Sequence, residues 1–112
     1  MAKGWIGVVV LLVLGAGCFR NTKSVIELNI PAMKTDACAQ SVKDAVNRLG
    51  EGTIQEVRLD VAARKAWVTY DNVRLGRRNI EVAIRHAGFA VNDLPANEEA
   101  RGQLPEECRG HD

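Results

Sequence analysis

Between Ser24 and Asn92 the apolar residues recur at two alternating periods, and the order of those periods constrains the fold more tightly than any other property of the chain. Ser24 to Ile30 alternates, with Ile26, Leu28 and Ile30 on one face and Val25, Glu27 and Asn29 on the other, the pattern of a half-buried strand. Pro31 ends that ladder, and Asp36 stands where a helix N-cap is expected. From Ala37 to Leu49 the spacing turns helical: Cys38, Val42, Ala45, Val46 and Leu49 form one stripe, which Gly50 and Gly52 bring to a stop. Ile54 to Val61 and Lys65 to Tyr70 alternate again, and their closeness in sequence makes them a hairpin. Trp67 falls opposite to Ala66, Val68 and Tyr70, hence away from the helices, where it is either a contact site or an ordinary surface aromatic. Leu75 to Gly88 reads as a second helix, with Ile80, Ala83, Ile84 and Ala87 inward and Gly88 at its C′ position. Phe89 to Asn92 reads as a short last strand.

Strand, helix, strand, strand, helix, strand is the split βαβ order. It predicts an α+β fold, a ferredoxin-like βαββαβ sandwich in which two helices cover one face of a four-stranded antiparallel sheet. The chain's 112 residues suffice for one such domain with short extensions. After it, Pro95, Asn97, Glu98 and Glu99 can start a short helix reaching about Leu104, before Pro105, Cys108 and His111.

The amino-terminal residues have a different character. Lys3 lies within Met1 to Gly4, Trp5 to Leu14 is an apolar run, and Gly15, Ala16 and Gly17 are small. This is the layout of a secretory signal, with an apolar run well short of the roughly 20 residues that cross a bilayer. Leu14 to Cys18, reading L-G-A-G-C, resembles the bacterial lipobox, which implies cleavage before Cys18 and lipidation of that cysteine. The expected organisation is a lipoprotein signal peptide (1–17), a lipidated cysteine and tether (18–23), a folded domain (24–92) and a cysteine-containing tail (93–112). The expected place is the bacterial cell envelope, anchored by lipid and facing the periplasm; plain export or an uncleaved anchor are the alternatives. Loss of Lys3 with the leader leaves 14 basic against 14 acidic side chains, and no basic stripe carries interleaved aromatics, which excludes nucleic acid as a partner.

With Cys18 acylated, Cys38 and Cys108 are the remaining thiols, in a compartment that permits disulfides. Cys38 lies in the first turn of the predicted first helix, where unpaired N–H groups and the helix dipole favour thiolate over thiol. That position suits metal binding or redox chemistry; the alternative is a small cysteine that only packs. No Ser/His/Asp constellation, paired carboxylates, glycine-rich phosphate loop or C-x-x-C is present, so an enzyme is not expected.

Met33 and Cys38 in the first loop, Val68-Thr69-Tyr70-Asp71 at the end of the third strand, and Ala87-Gly88-Phe89 after the second helix carry a resemblance. Over Ser24 to Asn92 the chain resembles the heavy-metal-associated domain family, the βαββαβ modules of copper chaperones, copper-ATPase amino-terminal domains and periplasmic mercury-binding proteins. The resemblance implies a sheet of order 4-1-3-2, with the tail starting at the end of the domain away from the first loop. The family motif M-x-C-x-x-C maps onto Met33 to Cys38 and sets Thr35 at its first cysteine. A hydroxyl is a poor ligand for soft ions, so the usual pair of thiolates is broken.

Leu104-Pro105-Glu106-Glu107-Cys108 looks like the leucine-proline-cysteine ending of some exported relatives. That likeness implies a composite metal site of Cys38 and Cys108, with His111 and Met33 as further ligands and His86 at the same end of the domain. Thiolate and thioether donors select Cu(I), with Zn(II) or Hg(II) as alternatives. The partners so implied are the metal ion, a metal-transfer protein or a second copy, and the membrane through Cys18. The rival reading joins Cys38 to Cys108 in a disulfide that staples the tail and places function in protein contact around Trp67. A third makes the disulfide and the dithiol the oxidised, metal-free and the reduced, binding forms of one protein.

Overall fold

A computed structural model of the chain describes residues 22–109. The expected signal peptide, Cys18 and most of its tether, and His111 lie outside the described residues. The order is β1 (Lys23–Asn29), α1 (Asp36–Asn47), β2 (Ile54–Asp60), β3 (Lys65–Asp71) and α2 (Arg77–His86), followed by α3 (Glu98–Gln103) and one 3-10 turn (Glu106–Cys108). The three strands and two helices read from periodicity between Ser24 and Gly88 are present, with ends displaced by no more than two residues, which is the ordinary latitude of fraying termini. Among the described residues no helix is long and apolar enough to cross a membrane.

β3 is the central strand, antiparallel to β1 on one side and to β2 on the other. Its Ala66, Val68 and Tyr70 point into a core shared with Leu28 and Ile30, with Val42 and Val46 of α1, and with Ile80 and Ile84 of α2. Full burial of each large aliphatic side chain contributes roughly 1.5–3 kcal/mol. Trp67 stands on the other face, half-buried, opposite Glu27 and Arg58, with the Arg58 guanidinium 5.4 Å from its ring centroid.

The cap of α1 is Thr35, not the expected Asp36. Thr35 has extended backbone (φ −132°, ψ 167°) and its Oγ1 accepts a bond from the Cys38 N–H at 3.3 Å, whereas Asp36 is already the first helical residue. The capping geometry requires the extended residue. At α2 the Asn79 side chain accepts from the Gly76 N–H at 3.0 Å. Gly88 takes φ +102°, the left-handed conformation that a C′ glycine supplies.

Phe89 to Asn92 does not form the expected fourth strand; the sheet of the described residues has three strands in the order β1-β3-β2, without the 4-1-3-2 arrangement. The period-two burial is there, with Phe89 and Val91 fully buried, but the ladder is not. The segment meets β1 at one residue: the Asn92 N–H donates to the Asn29 carbonyl at 2.9 Å, and the Asn29 N–H donates to Asn92 Oδ1 at 2.8 Å. Asn92 then turns the chain out with φ +50°, Val91 and Leu94 close the turn by exchanging backbone bonds, and Pro95 follows without an N–H to give.

Glu81 holds this stop in place. Its buried carboxylate accepts from Asn92 Nδ2 at 2.6 Å and lies 3.4 Å from Arg78 and 3.8 Å from Arg77. With Nδ2 turned to Glu81, the amide oxygen of Asn92 is directed at β1.

The tail consequently does not start at the far side of the domain. It stays at the end where β1 hands over to α1, because it leaves the sheet after a single pairing. The Asn97 N–H donates to the Arg85 carbonyl at 3.1 Å, and Asn97 caps α3 through the Ala100 N–H. Helix α3 lies so close to Gly88 that a Cβ there would stand 2.9 Å from Ala100 C, Arg101 N and Leu104 Cδ1. Gly88 is therefore required both by its backbone and by its neighbour.

Candidate functional site

The loop between β1 and α1 is built by short backbone bonds. The Ile30 N–H donates to the Arg64 carbonyl at 2.9 Å, and the Met33 N–H returns to the Ile30 carbonyl at 3.1 Å. This turn buries Met33 completely and delivers Thr35 as the cap, which sets Cys38 in the first turn of α1 on its buried face. From the other direction, Pro105 breaks the chain after α3 and the 3-10 turn brings Cys108 inward. The Cys108 N–H closes on the Pro105 carbonyl at 2.8 Å.

The two cysteines are joined by a disulfide with S–S 2.08 Å and Cα–Cα 5.5 Å. Cys38 is 0% and Cys108 1% exposed, so the bridge belongs to the core as well as to the tail. Thr35 completes the site: its hydroxyl donates to Cys38 Sγ at 3.2 Å, while the same oxygen accepts from the Cys38 N–H. A shallow groove lined by Lys34, Thr35, Pro105, Glu106 and Glu107 runs over this corner of the surface.

Of the residues predicted as metal ligands, Cys38 and Cys108 meet. Met33 shares their core cluster with no exposure to solvent. His86 is exposed at the end of α2, and His111 is outside the described residues. Among the described residues no group of three or more His, Cys, Asp and Glu side chains comes together that could hold an ion. Thr35 was legible only as an absent cysteine; its spacing of three residues to Cys38, the distance over which an N-cap hydroxyl reaches a backbone N–H, is the signal for its second role.

No protein-family model and no curated protein matches the sequence. Solved structures do match. Oxidised MerP from Ralstonia metallidurans CH34 is 27% identical with a TM-score of 0.57, the match covering 62% of this chain and 94% of MerP. The domain is heavy-metal-associated-like. The CopZ metallochaperone, at 23% identity and TM-score 0.56, is matched over 62% of this chain and 100% of its own. A copper-binding domain of HMA7, a P-type ATPase, is 22% identical with TM-score 0.55, over 61% of this chain and 89% of that domain. At such identities the last two speak for the fold alone. The heavy-metal-associated-like domain thus accounts for whole neighbours, while more than a third of this chain has no counterpart in them.

Proposed function

We propose that this chain is an exported, lipid-anchored binding protein for a soft heavy-metal ion, Cu(I) before Hg(II) or Zn(II), held in the reduced protein by the thiolates of Cys38 and Cys108. The observation that carries this reading is the meeting of two sulfurs at the amino terminus of α1, in a fold whose solved neighbours include a copper-binding domain and a metallochaperone. The tail thiol replaces the sulfur that Thr35 lacks. In the oxidised form the electron pairs that would bind an ion are committed to the S–S bond, so reduction is the first requirement of loading.

The reduced site suits a soft ion with few ligands. Cys38 then lies beside the Thr35 hydroxyl and the N–H groups of the first helical turn, all of which favour thiolate. Metal–sulfur bonds of about 2.3 Å place two thiolates across one ion some 4–5 Å apart. The short turn that carries Cys108, rather than the core around Cys38, can give that movement. Zinc wants four ligands and would have to recruit Asp36 or the histidines. Anchoring through Cys18, a periplasmic setting and hand-over to a second metal-binding protein complete the proposal; the role is binding, without catalysis.

The test is an anaerobic Cu(I) titration of the reduced full chain against a competing chelator. One ion per chain is expected, with binding abolished by Cys38→Ser or Cys108→Ser and restored to the second variant by Thr35→Cys. A reduced wild type that cannot compete with a weak chelator defeats the metal reading. The buried disulfide would then stand as a staple, and the contact surface around Trp67 would become the working account.

A further inference from the structure

The two sulfurs of the bridge stand in unlike surroundings. Cys38 Sγ accepts from the Thr35 hydroxyl at 3.2 Å and belongs to the first turn of α1, at the positive end of the helix dipole. Among the described residues no hydrogen bond reaches Cys108 Sγ. Access differs as well. Both cysteines are buried in the folded chain, but baring Cys38 means parting α1 from the core that it shares with Met33, Val42 and Val46. Cys108 sits in a single 3-10 turn. That turn is closed by the Cys108 N–H on the Pro105 carbonyl at 2.8 Å, the Arg109 N–H on the Glu106 carbonyl at 3.2 Å and Arg109 Nε on the Leu104 carbonyl at 2.9 Å. The groove lined by Lys34, Thr35, Pro105, Glu106 and Glu107 lies beside it. Opening one short turn is the smaller excursion from the native state.

The geometry points to a directed thiol–disulfide exchange with a dithiol reductant: Cys108 is the sulfur attacked, Cys38 is the sulfur that leaves, and Thr35 is the positioning residue that selects this direction. A disulfide is opened by a thiolate, and negative charge develops on the sulfur that departs. The Thr35 hydroxyl already donates to Cys38 Sγ, and this bond strengthens as the sulfur becomes anionic. Departure of Cys108 in its place would gain no such donor among the described residues.

The exchange runs in two steps. In the first, one thiolate of the reductant bonds to Cys108 Sγ, the Cys38–Cys108 bond breaks, and its electron pair goes to Cys38 Sγ. In the second, the other thiolate of the reductant attacks its neighbour's sulfur, the mixed disulfide breaks, and Cys108 Sγ takes the electron pair. The reductant leaves as its own disulfide, oxidised by two electrons; the bridge is reduced by two, and the two protons of the dithiol become available to the two cysteines. Between the steps the mixed disulfide rides on the tail, while Cys38 keeps its place at the cap of α1. The inference takes from the proposed function only that the bridge has to be opened, and its test contains no metal, so the two fail separately.

Glutathione, a monothiol that stops at the first step, tests this on the oxidised full chain in detergent. The reaction is quenched with acid early in its course, free thiols are blocked, and the mixed disulfide is located by mass spectrometry. Cleavage after Lys and Arg separates Cys38, in Thr35–Lys43, from Cys108, in Gly102–Arg109. Glutathione is expected on Cys108 over Cys38 by more than about tenfold, the effect of one hydrogen bond to a charged group made in only one of two transition states. Thr35→Val should lower that preference by about tenfold, and Thr35→Ser, which keeps the hydroxyl, should hold it within about threefold. Loss of the helix cap alone would change the rate and leave the preference as it was. Glutathione on Cys38, or shared evenly, overturns the proposal. A preference indifferent to Thr35→Val overturns the role of Thr35. A bridge that glutathione opens only in denaturant is a static staple and overturns the whole.

Discussion

The loop from Met33 to Cys38 and the segment from Phe89 to Asn92 both depart from the pattern of the domains this chain resembles, and they are repaired in different ways. In the loop a sulfur is missing at Thr35, and the repair comes from Cys108, 70 residues away from Cys38 in sequence, as a covalent bond buried in the core. In the segment a strand is missing, and the repair is one asparagine, which imitates a strand for a single residue and leaves the outer backbone groups of Val25 and Glu27 without a strand partner among the described residues. The two departures are linked. A complete fourth strand along β1 would carry the chain away from the loop; turning out at Asn92 keeps the tail at the right end and frees it to bring Cys108 to Cys38. Bridging Cys108 to Cys38 and completing the sheet compete for the same stretch of chain.

The strongest way to break this comparison is to remove the covalent repair. Cys108→Ser in the oxidised protein should lower stability by roughly 3–5 kcal/mol, the expectation for closing so long a loop. Cys38→Ser should cost a similar amount, and the double variant little more, as read from urea midpoints. A loss below about 1 kcal/mol would mean that the tail is held by its other contacts and that the bridge is incidental. Next comes the seat of the tail: Gly88→Ala adds a Cβ into α3 and forces an unfavourable φ, and should cost about 2–3 kcal/mol. The penalty should shrink in the Cys108→Ser chain, where the tail can lift away.

The edge stop is weaker. Asn92→Ala removes the two side-chain bonds, from the Asn29 N–H and to Glu81, while the backbone bond to the Asn29 carbonyl stays; it should cost about 1–2 kcal/mol, with faster amide hydrogen exchange at Asn29 and little change at Cys38. Equal acceleration throughout β1 would show that the stop supports the whole strand rather than its last residue. The smallest effect belongs to the cap. Thr35→Val should destabilise by about 1 kcal/mol and Thr35→Ser by a few tenths, both seen as shifts of the thermal midpoint.

Most of the domain was legible because its signals are local and agree with one another. The stripe from Cys38 to Val46, the alternation in Ile54 to Tyr70 and the glycines at Gly50 and Gly88 each specify an element without reference to distant residues. Phe89 to Asn92 misled because alternation reports burial, not pairing: Phe89 and Val91 are buried in the core cluster, and only Asn92 reaches another strand. The cue against a strand was present in Asn92, Pro95 and the acid at Glu81, but the last of these acts through space. The choice between packing, bridging and binding for Cys38 stayed open for the same reason, since it turns on where a residue at the far end of the sequence comes to rest. Met33 read as a ligand through its place in a motif, whereas the turn closed by its N–H sends its side chain into the core.

The bridge between Cys38 and Cys108 also sets the path of mechanical load. A pull between Thr22 and Arg109 travels along β1 to Cys38, crosses the sulfurs and leaves almost at once, so the chain between the cysteines forms a closed ring outside the line of tension. Helix α1 beyond Cys38, helices α2 and α3 and the hairpin of β2 and β3 are shielded from stretching, and the load falls on β1, the turn that follows it and the first turn of α1 up to Cys38. Between those two ends, the oxidised protein can lengthen only through the chain from Thr22 to Cys38. Reduction would let the whole domain unravel under the same force.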